Sequence, residues 1–235
     1  MPDSNSLLGI GLYSVAESAR MLRVPAKTVR RWVEGYTFTT RGRTGQSDPV
    51  FSTQLQRAHD DQIITFADLI ELHFVAMFRK NGVSMQRIRQ AAAQLARRFN
   101  TSHPFAVQRL DTDGRSIFAT LQAEWAGGAS KQVIEELHRM QLVFSEFAPL
   151  YFQKIDYRPE DAGCFWPLGR DGRVVLDRER SFGKPIDHQT GVRTLSLYRA
   201  SLSGDSLRSI AAWYRVPIAA IHKSIEYELS LRSAA

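Results

Sequence analysis

Four residues at helical spacing carry the chemistry most open to reading in this chain: Lys27, Thr28, Arg30 and Arg31. Arginine reads the acceptor edge of guanine or clamps a phosphate, and threonine contacts either a base or a phosphate. Two further arginines, Arg41 and Arg43, flank Gly42 in a threonine- and glycine-rich stretch, where they would meet phosphates or a minor groove. His222 and Lys223 form a weaker pair near the other end, close to Glu228. Taken alone, such charges are a solvated surface. Their meaning comes from the elements that hold them.

Catalytic constellations are missing from the pattern. The single cysteine, Cys164, and six histidines give no His-x-x-x-His or Cys-x-x-Cys pair, so no metal site is expected. Gly183-Lys184 lacks the rest of a phosphate-binding loop and runs into Pro185. Ser181, Asp187 and His188 lie too close in sequence to argue a triad, and Asp60-Asp61 and Glu135-Glu136 read as solvated or capping carboxylates. The expectation is a non-enzyme without cofactor. One cysteine also excludes an internal disulfide and fits a reducing cytoplasm. No apolar run reaches the roughly 18–20 residues of a membrane span, and the start lacks a basic-then-apolar leader. Net charge is +7, of which residues 1–103 carry +6 and residues 104–235 only +1. A polyanion would meet the first half.

The basic cluster belongs to a duplicated unit. Ser14-Val-Ala-Glu-Ser-Ala19-Arg-Met-Leu22-Arg23-Val24-Pro25 returns 192 positions later as Ser206-Leu-Arg-Ser-Ile-Ala211-Ala-Trp-Tyr214-Arg215-Val216-Pro217. Val29, Val33 and Glu34 likewise match Ile221, Ile225 and Glu226. This is a helix-turn-helix pattern, with a small residue where the helices meet and apolar residues along the seam. Ser14 caps a helix to about Leu22, and Pro25 opens the second. On it Val29, Trp32 and Val33 face inward, leaving Lys27, Thr28, Arg30 and Arg31 outside. The second helix of such a unit suits the major groove.

Gly35 ends that helix, and Tyr36–Thr40, Arg41–Gly45 and Val50-Phe51 read as a β-hairpin wing or as a mobile loop. Thr65 and Asp68 form a capping box before a helix with Leu69, Leu72, Val75, Ala76 and Phe78 on its apolar side. Gly82 stops it. Ser84 caps another helix, with Ile88, Ala92 and Leu95 inside and Arg87, Arg89, Arg97 and Arg98 on the polar face. Asn100–Pro104 is a break. Phe105–Leu110 and Arg115–Leu121 flank an Asp111–Gly114 turn as a hairpin, and an amphipathic helix follows from Gln132 to about Phe147 through Val133, Leu137, Met140 and Phe144. A strand at Val174–Asp177 and a helix from about Thr194 to Ala200 precede the second unit.

Residues 12–99 resemble the N-terminal domain of MerR-type regulators, on Tyr13, Ala19, Thr28, Arg30, Asp68-Leu69, Leu72, Gly82-Val83-Ser84 and Ile88-Arg89. Nothing after Phe99 resembles that family's long dimerising helix or effector domain. Residues 174–228 are similar to small antitoxin proteins, on Asp177, Phe182-Gly183-Lys184-Pro185, Thr190-Gly191-Val192, Gly204-Asp205-Ser206, Ile210-Ala211, Val216, Ile221 and Ile225. That family's Gly-Thr is displaced here to His188-Gln189-Thr190-Gly191. Together the two modules resemble the larger VapB-type antitoxins. The resemblance implies a PIN-like ribonuclease toxin as partner and repression of the protein's own operon.

The expected architecture is mainly α with small β elements (α+β). Residues 1–100 form a winged helix-turn-helix, 104–168 a middle segment, and 169–235 a second helix-turn-helix module. A homodimer on a palindromic operator follows from two-fold symmetry. In the second unit Ala219, Ala220, His222, Lys223 and Glu228 face outward with fewer cations. That favours dimerisation or toxin contact over DNA. Two other readings stand beside this one. They are a solitary MerR-like regulator whose C-terminal half binds an effector, and a protein-interaction adaptor. Only residues 230–235 are tail-like, so a folded surface would meet the toxin.

Overall fold

Two neighbouring strands launch the two helices that organise the first half. In the computed structural model, residues 10–40, 42–53, 55, 62–107, 110–111, 131–158 and 161–232 are described. Strand β1 (Leu12–Ser14) pairs antiparallel with β4 (Ile63–Thr65), setting Tyr13 opposite Ile64. Each strand ends in a capping box. Ser14 Oγ accepts from the Glu17 N–H at 3.1 Å while the Ser14 N–H donates to Glu17 Oε2 at 2.8 Å. The Thr65 N–H donates to Asp68 Oδ2 at 2.8 Å, and the Asp68 N–H returns to Thr65 Oγ1 at 3.2 Å. Such caps are each worth about 1 kcal/mol and fix where α1 (Val15–Leu22) and α3 (Phe66–Lys80) begin.

Helix α1 turns into α2 (Ala26–Glu34) through Arg23, whose φ of 55° puts a non-glycine residue in the left-handed region. The hairpin β2 (Tyr36–Thr40) and β3 (Arg43–Ser47) follows. Helix α3 is buried on nearly every side. It packs against α4 (Met85–Phe99), which Ser84 caps as expected, and α5 (Lys131–Phe152). Ile88, Ala92 and Leu95 are buried on α4. The α4 polar face is narrower than expected: Arg97 and Arg98 are exposed, but Arg87 is buried against Gln90 at 2.5 Å. Arg89 is half-buried and donates to the Asp48 carbonyl at 2.7 Å.

The expected break at 100–104 is stitched to α3. His103 Nε2 meets Asp68 Oδ1 at 2.8 Å, and the N–H groups of Phe105 and Ala106 donate to Glu71 Oε1 at 2.6 and 3.1 Å. This bonding also removes the first arm of the expected middle hairpin. Val107 makes only an isolated bridge to Asp161, and Leu110-Asp111 are helical, because Glu71 takes the N–H groups a ladder would have used. The second arm, 115–121, lies outside the described residues. On α5, Met140, Val143 and Phe144 are buried, whereas Val133 and Leu137 are side chains outside the described set.

A four-stranded antiparallel sheet closes the main core in the order β5 (Ile155–Tyr157), β6 (Ala162–Phe165), β7 (Val174–Asp177), β8 (Ile186–Asp187). Phe165 and Leu176 face the main core, whereas Cys164, Val175 and Ile186 pack with Trp166 on the other side. Burial, then the charge of Asp177, pushes the Cys164 thiol up to about 12, so it stays an inert hydrophobe.

Three helices end the chain: α6 (Thr194–Leu202), α7 (Leu207–Tyr214) and α8 (Ile218–Arg232). Leu197, Ile210, Val216, Ala220 and Ile221 form their core. The tail expected from Ser230 is helical through Arg232. The protein is therefore α+β, mainly helical with small antiparallel sheets.

Candidate nucleic-acid interface

Helix α2 divides cleanly into two faces. Val29, Trp32 and Val33 are buried, as their spacing predicts, while Lys27, Arg30 and Arg31 are exposed on the side away from the core. Arg30 lies 3.5 Å from Glu34 one turn on, a pair at the helix surface that contributes little to stability. The Arg31 guanidinium sits 5.0 Å from the centre of the Tyr36 ring. That contact links the reading helix to the base of the hairpin. Thr28 departs from the expectation. It is half-buried on the flank that carries Trp32, one turn from it, rather than among the arginines.

Gly35, with φ 73° and ψ −174°, makes the sharp exit from α2 that only glycine tolerates, and its N–H donates to the Arg31 carbonyl. The hairpin is present, but its return strand is Arg43–Ser47 instead of Val50-Phe51. Val50 and Phe51 are core residues. The Val50 N–H donates to the Trp32 carbonyl at 2.8 Å and ties the hairpin's exit to α2. With Tyr36 opposite Ser47, Phe38 opposite Gly45 and Thr40 opposite Arg43, one face of the hairpin carries Tyr36, Phe38 and Arg43. Thr37, Thr39, Thr44 and Gln46 occupy the other. Arg43 is exposed, so the hairpin presents it on the same face as Phe38 and as Tyr36, the ring that Arg31 meets. Arg41 lies outside the described residues.

The second helix pair repeats the backbone of the first. Arg215 has φ 54° and ψ 45°, against 55° and 44° at Arg23. The Val216 N–H reaches the Ala211 carbonyl at 3.0 Å, as Val24 reaches Ala19 at 3.0 Å. Its surface differs. His222 is exposed, and Lys223 is paired with Glu226 at 2.7 Å. Ala220 and Glu228, expected outside, turn inward: Ala220 is 1% exposed, and Glu228 accepts from Thr194 Oγ1 at 2.5 Å. Helix α6 packs along α8 and uses the side the sequence left for solvent. Beside Arg208, His222 and Glu226, α7 and α8 expose large apolar side chains: Trp213 (66%), Tyr214 and Ile218, with Leu202 nearby in sequence at the end of α6.

Long-range contacts that the sequence does not announce join the first pair to the C-terminal part. The Tyr13 hydroxyl donates to the Gly183 carbonyl at 2.7 Å. Lys184 Nζ donates to Glu17 Oε1 at 2.6 Å and sits 5.3 Å from the centre of the Tyr13 ring. Burial raises the Glu17 carboxyl, but the Lys184 hydrogen bond, the Ser14 N–H and the Lys184 charge outweigh it and hold the group below its ordinary range. Phe182-Gly183-Lys184-Pro185 was visible as a motif; its partners were not.

Residues 11–92 match a family profile described as "Putative DNA-binding HTH domain". All of the described interface lies inside that match. Over 216 residues the chain is 29% identical to the Mycobacterium tuberculosis protein named "Putative antitoxin VapB45", covering 88% of this chain and 89% of that protein. It is 24% identical over 234 residues to "Uncharacterized protein Rv2308" of the same organism, covering 97% and 94%. The crystal structure of Rv2018 from Mycobacterium tuberculosis aligns with a TM-score of 0.72 over 91% of this chain and 96% of that one. At 24% identity that likeness shows the fold. No described helix is long and apolar enough to cross a membrane.

Proposed function

We propose that the protein is a DNA-binding antitoxin that represses its own operon and neutralises a PIN-like ribonuclease toxin. The observation that carries the DNA half is the exposed row Lys27, Arg30 and Arg31 on a helix braced by the hairpin, inside the matched helix-turn-helix region. Lys27, Arg30 and Arg31 enter the major groove, and Arg41 and Arg43 reach the phosphates or minor groove beside it. Thr28 is left to a supporting role on the flank.

The toxin half rests on the likeness, along most of the chain, to a protein named as an antitoxin. We assign protein contact to the second helix pair because it exposes Trp213, Tyr214 and Ile218 and carries fewer cations on its second helix, where Ala219, His222 and Lys223 stand at the positions of Lys27, Arg30 and Arg31. His222 and Lys223 border that surface. The working division is a winged reader in 1–100, a middle segment in 104–168 and a second helix-turn-helix module in 169–235. A homodimer would place two reading helices on a palindromic operator about one or more DNA turns apart.

The direct test is co-expression of the tagged chain with its genomic neighbour, followed by purification and a ribonuclease assay. A stable pair whose nuclease is silent, and active once the pair is separated, is the expected result. A chain that purifies alone yet binds its promoter would replace the antitoxin with a stand-alone regulator.

A further inference from the structure

Beneath the turn of the first helix pair lies a cavity of about 810 Å³, within the size range of small-molecule sites. The α1–α2 turn, α3, the end of α5 and the last turns of α8 contribute its walls. Four cations line it, Arg23, Arg79, Lys80 and Lys154, and no aspartate or glutamate among the described residues does. None of the four makes an ion pair among the described residues, and Arg79 donates to the Val83 carbonyl at 2.8 Å, which leaves Arg23, Lys80 and Lys154 for a ligand. They repel one another: burial lowers the Lys154 ammonium, and the charges of Arg23 and Lys80 lower it further. Arg23 and Lys80 are exposed, so the half-buried Lys154 is the cation that an anion in the cavity would relieve most.

Two polar atoms without partners point the same way. Tyr227 is 1% exposed, lines the cavity, and its hydroxyl has no hydrogen-bond partner among the described residues. His73 Nε2, also on the lining, is likewise unpaired. Buried polar atoms of this kind are normally satisfied, and an orphan on a residue that lines a cavity is one that a ligand or a water there would satisfy. Trp32 and Phe165 add flat apolar walls.

We propose that this cavity binds a small organic anion, with its phosphate or carboxylate among Arg23, Lys80 and Lys154 and its ring or apolar body between Trp32 and Phe165. Tyr227 and His73 supply hydrogen bonds. The site stands independently of the antitoxin reading. Because Trp32 belongs to α2, occupancy bears on the helix that carries the basic row.

The test is calorimetric titration of the full chain with adenosine 5′-monophosphate, with indole-3-acetate, and with neutral adenosine. Binding of either anion in the millimolar range or tighter, with none by adenosine, is expected. The stronger of the two assigns phosphate or carboxylate. The double variant Lys80→Met/Lys154→Met should weaken that binding about tenfold or more with an unchanged melting curve, since Lys80 is exposed and Lys154 only half-buried. Tyr227→Phe should weaken it about threefold or more. Arg23→Asn, which suits the left-handed backbone there, gives a second charge removal without strain. Failure of both anions to bind overturns the proposal, as does equal binding to wild type and double variant. If neither anion binds while the double variant loses affinity for a random duplex, the cations belong to the DNA backbone and the proposal is also wrong.

Discussion

Two helix pairs in this chain share a turn to within a degree at Arg23 and Arg215, yet they show the solvent different side chains. The first exposes Lys27, Arg30 and Arg31 and leads into a hairpin. The second exposes Trp213, Tyr214 and Ile218 beside Arg208, His222 and Glu226, and its second helix runs for 15 residues and packs on α1. The backbone of a helix-turn-helix is thus a scaffold that is indifferent to its partner. On the proposed division of labour, the identity of three or four outward side chains decides between a polyanion and an apolar surface.

The comparison breaks most readily at the arginines. Arg30→Ala with Arg31→Ala should cut promoter affinity about 100-fold, at roughly 1–3 kcal/mol for each lost contact, in an anisotropy titration. A smaller effect is expected at the second pair. Trp213→Glu should weaken self-association or toxin binding tenfold or more by size-exclusion or pull-down, while the melting temperature stays put, because Trp213 is 66% exposed. If Trp213→Glu abolishes DNA binding instead, the division of labour is wrong.

Next comes the tether. Tyr13→Phe removes the bond to the Gly183 carbonyl and should cost about 1 kcal/mol in a denaturant titration. The smallest effect concerns acid. Glu17 has a depressed pKa, so its contribution is complete above the ordinary value of 4.5 and is lost as pH falls through the folded value. The stability gap between wild type and Lys184→Met should therefore be widest above pH 4.5 and close below it. Salt should narrow it too, since both groups are partly exposed. A gap that widens in acid would contradict the assigned pairing.

Local features were legible in the sequence. The Ser14 cap, the Thr65–Asp68 capping box, the inward stripe of α2, the Gly35 exit, the caps and ends of α3 and α4, and the α+β class all follow from residue type at short spacing; that Glu17 closes a box on Ser14 came only from the structure. What escaped was decided elsewhere in the chain. Val50 and Phe51 have the β propensity of a hairpin strand, but the Trp32 carbonyl and the core claim them. Arg87 looks like a surface charge until its helix packs. Ala220 and Glu228 lie on a helix apolar on two sides, and α6 takes the side assigned to solvent. The pairs Tyr13–Gly183 and Glu17–Lys184 span 170 and 167 residues, a separation at which no periodicity speaks. Of the interface, Lys27, Arg30, Arg31 and Arg43 stand exposed where expected, while Thr28 turned aside because its position shares a flank with Trp32.

The central claim is that the first pair, and not the second, holds DNA. A salt titration of promoter binding tests it most directly, with wild type, Arg30→Ala/Arg31→Ala, and His222→Ala/Lys223→Ala side by side. The account predicts a steep wild-type slope in log affinity against log salt, reduced by about 2 in the arginine variant and unchanged in the other. A slope that survives loss of both arginines but falls with His222 and Lys223 would contradict it.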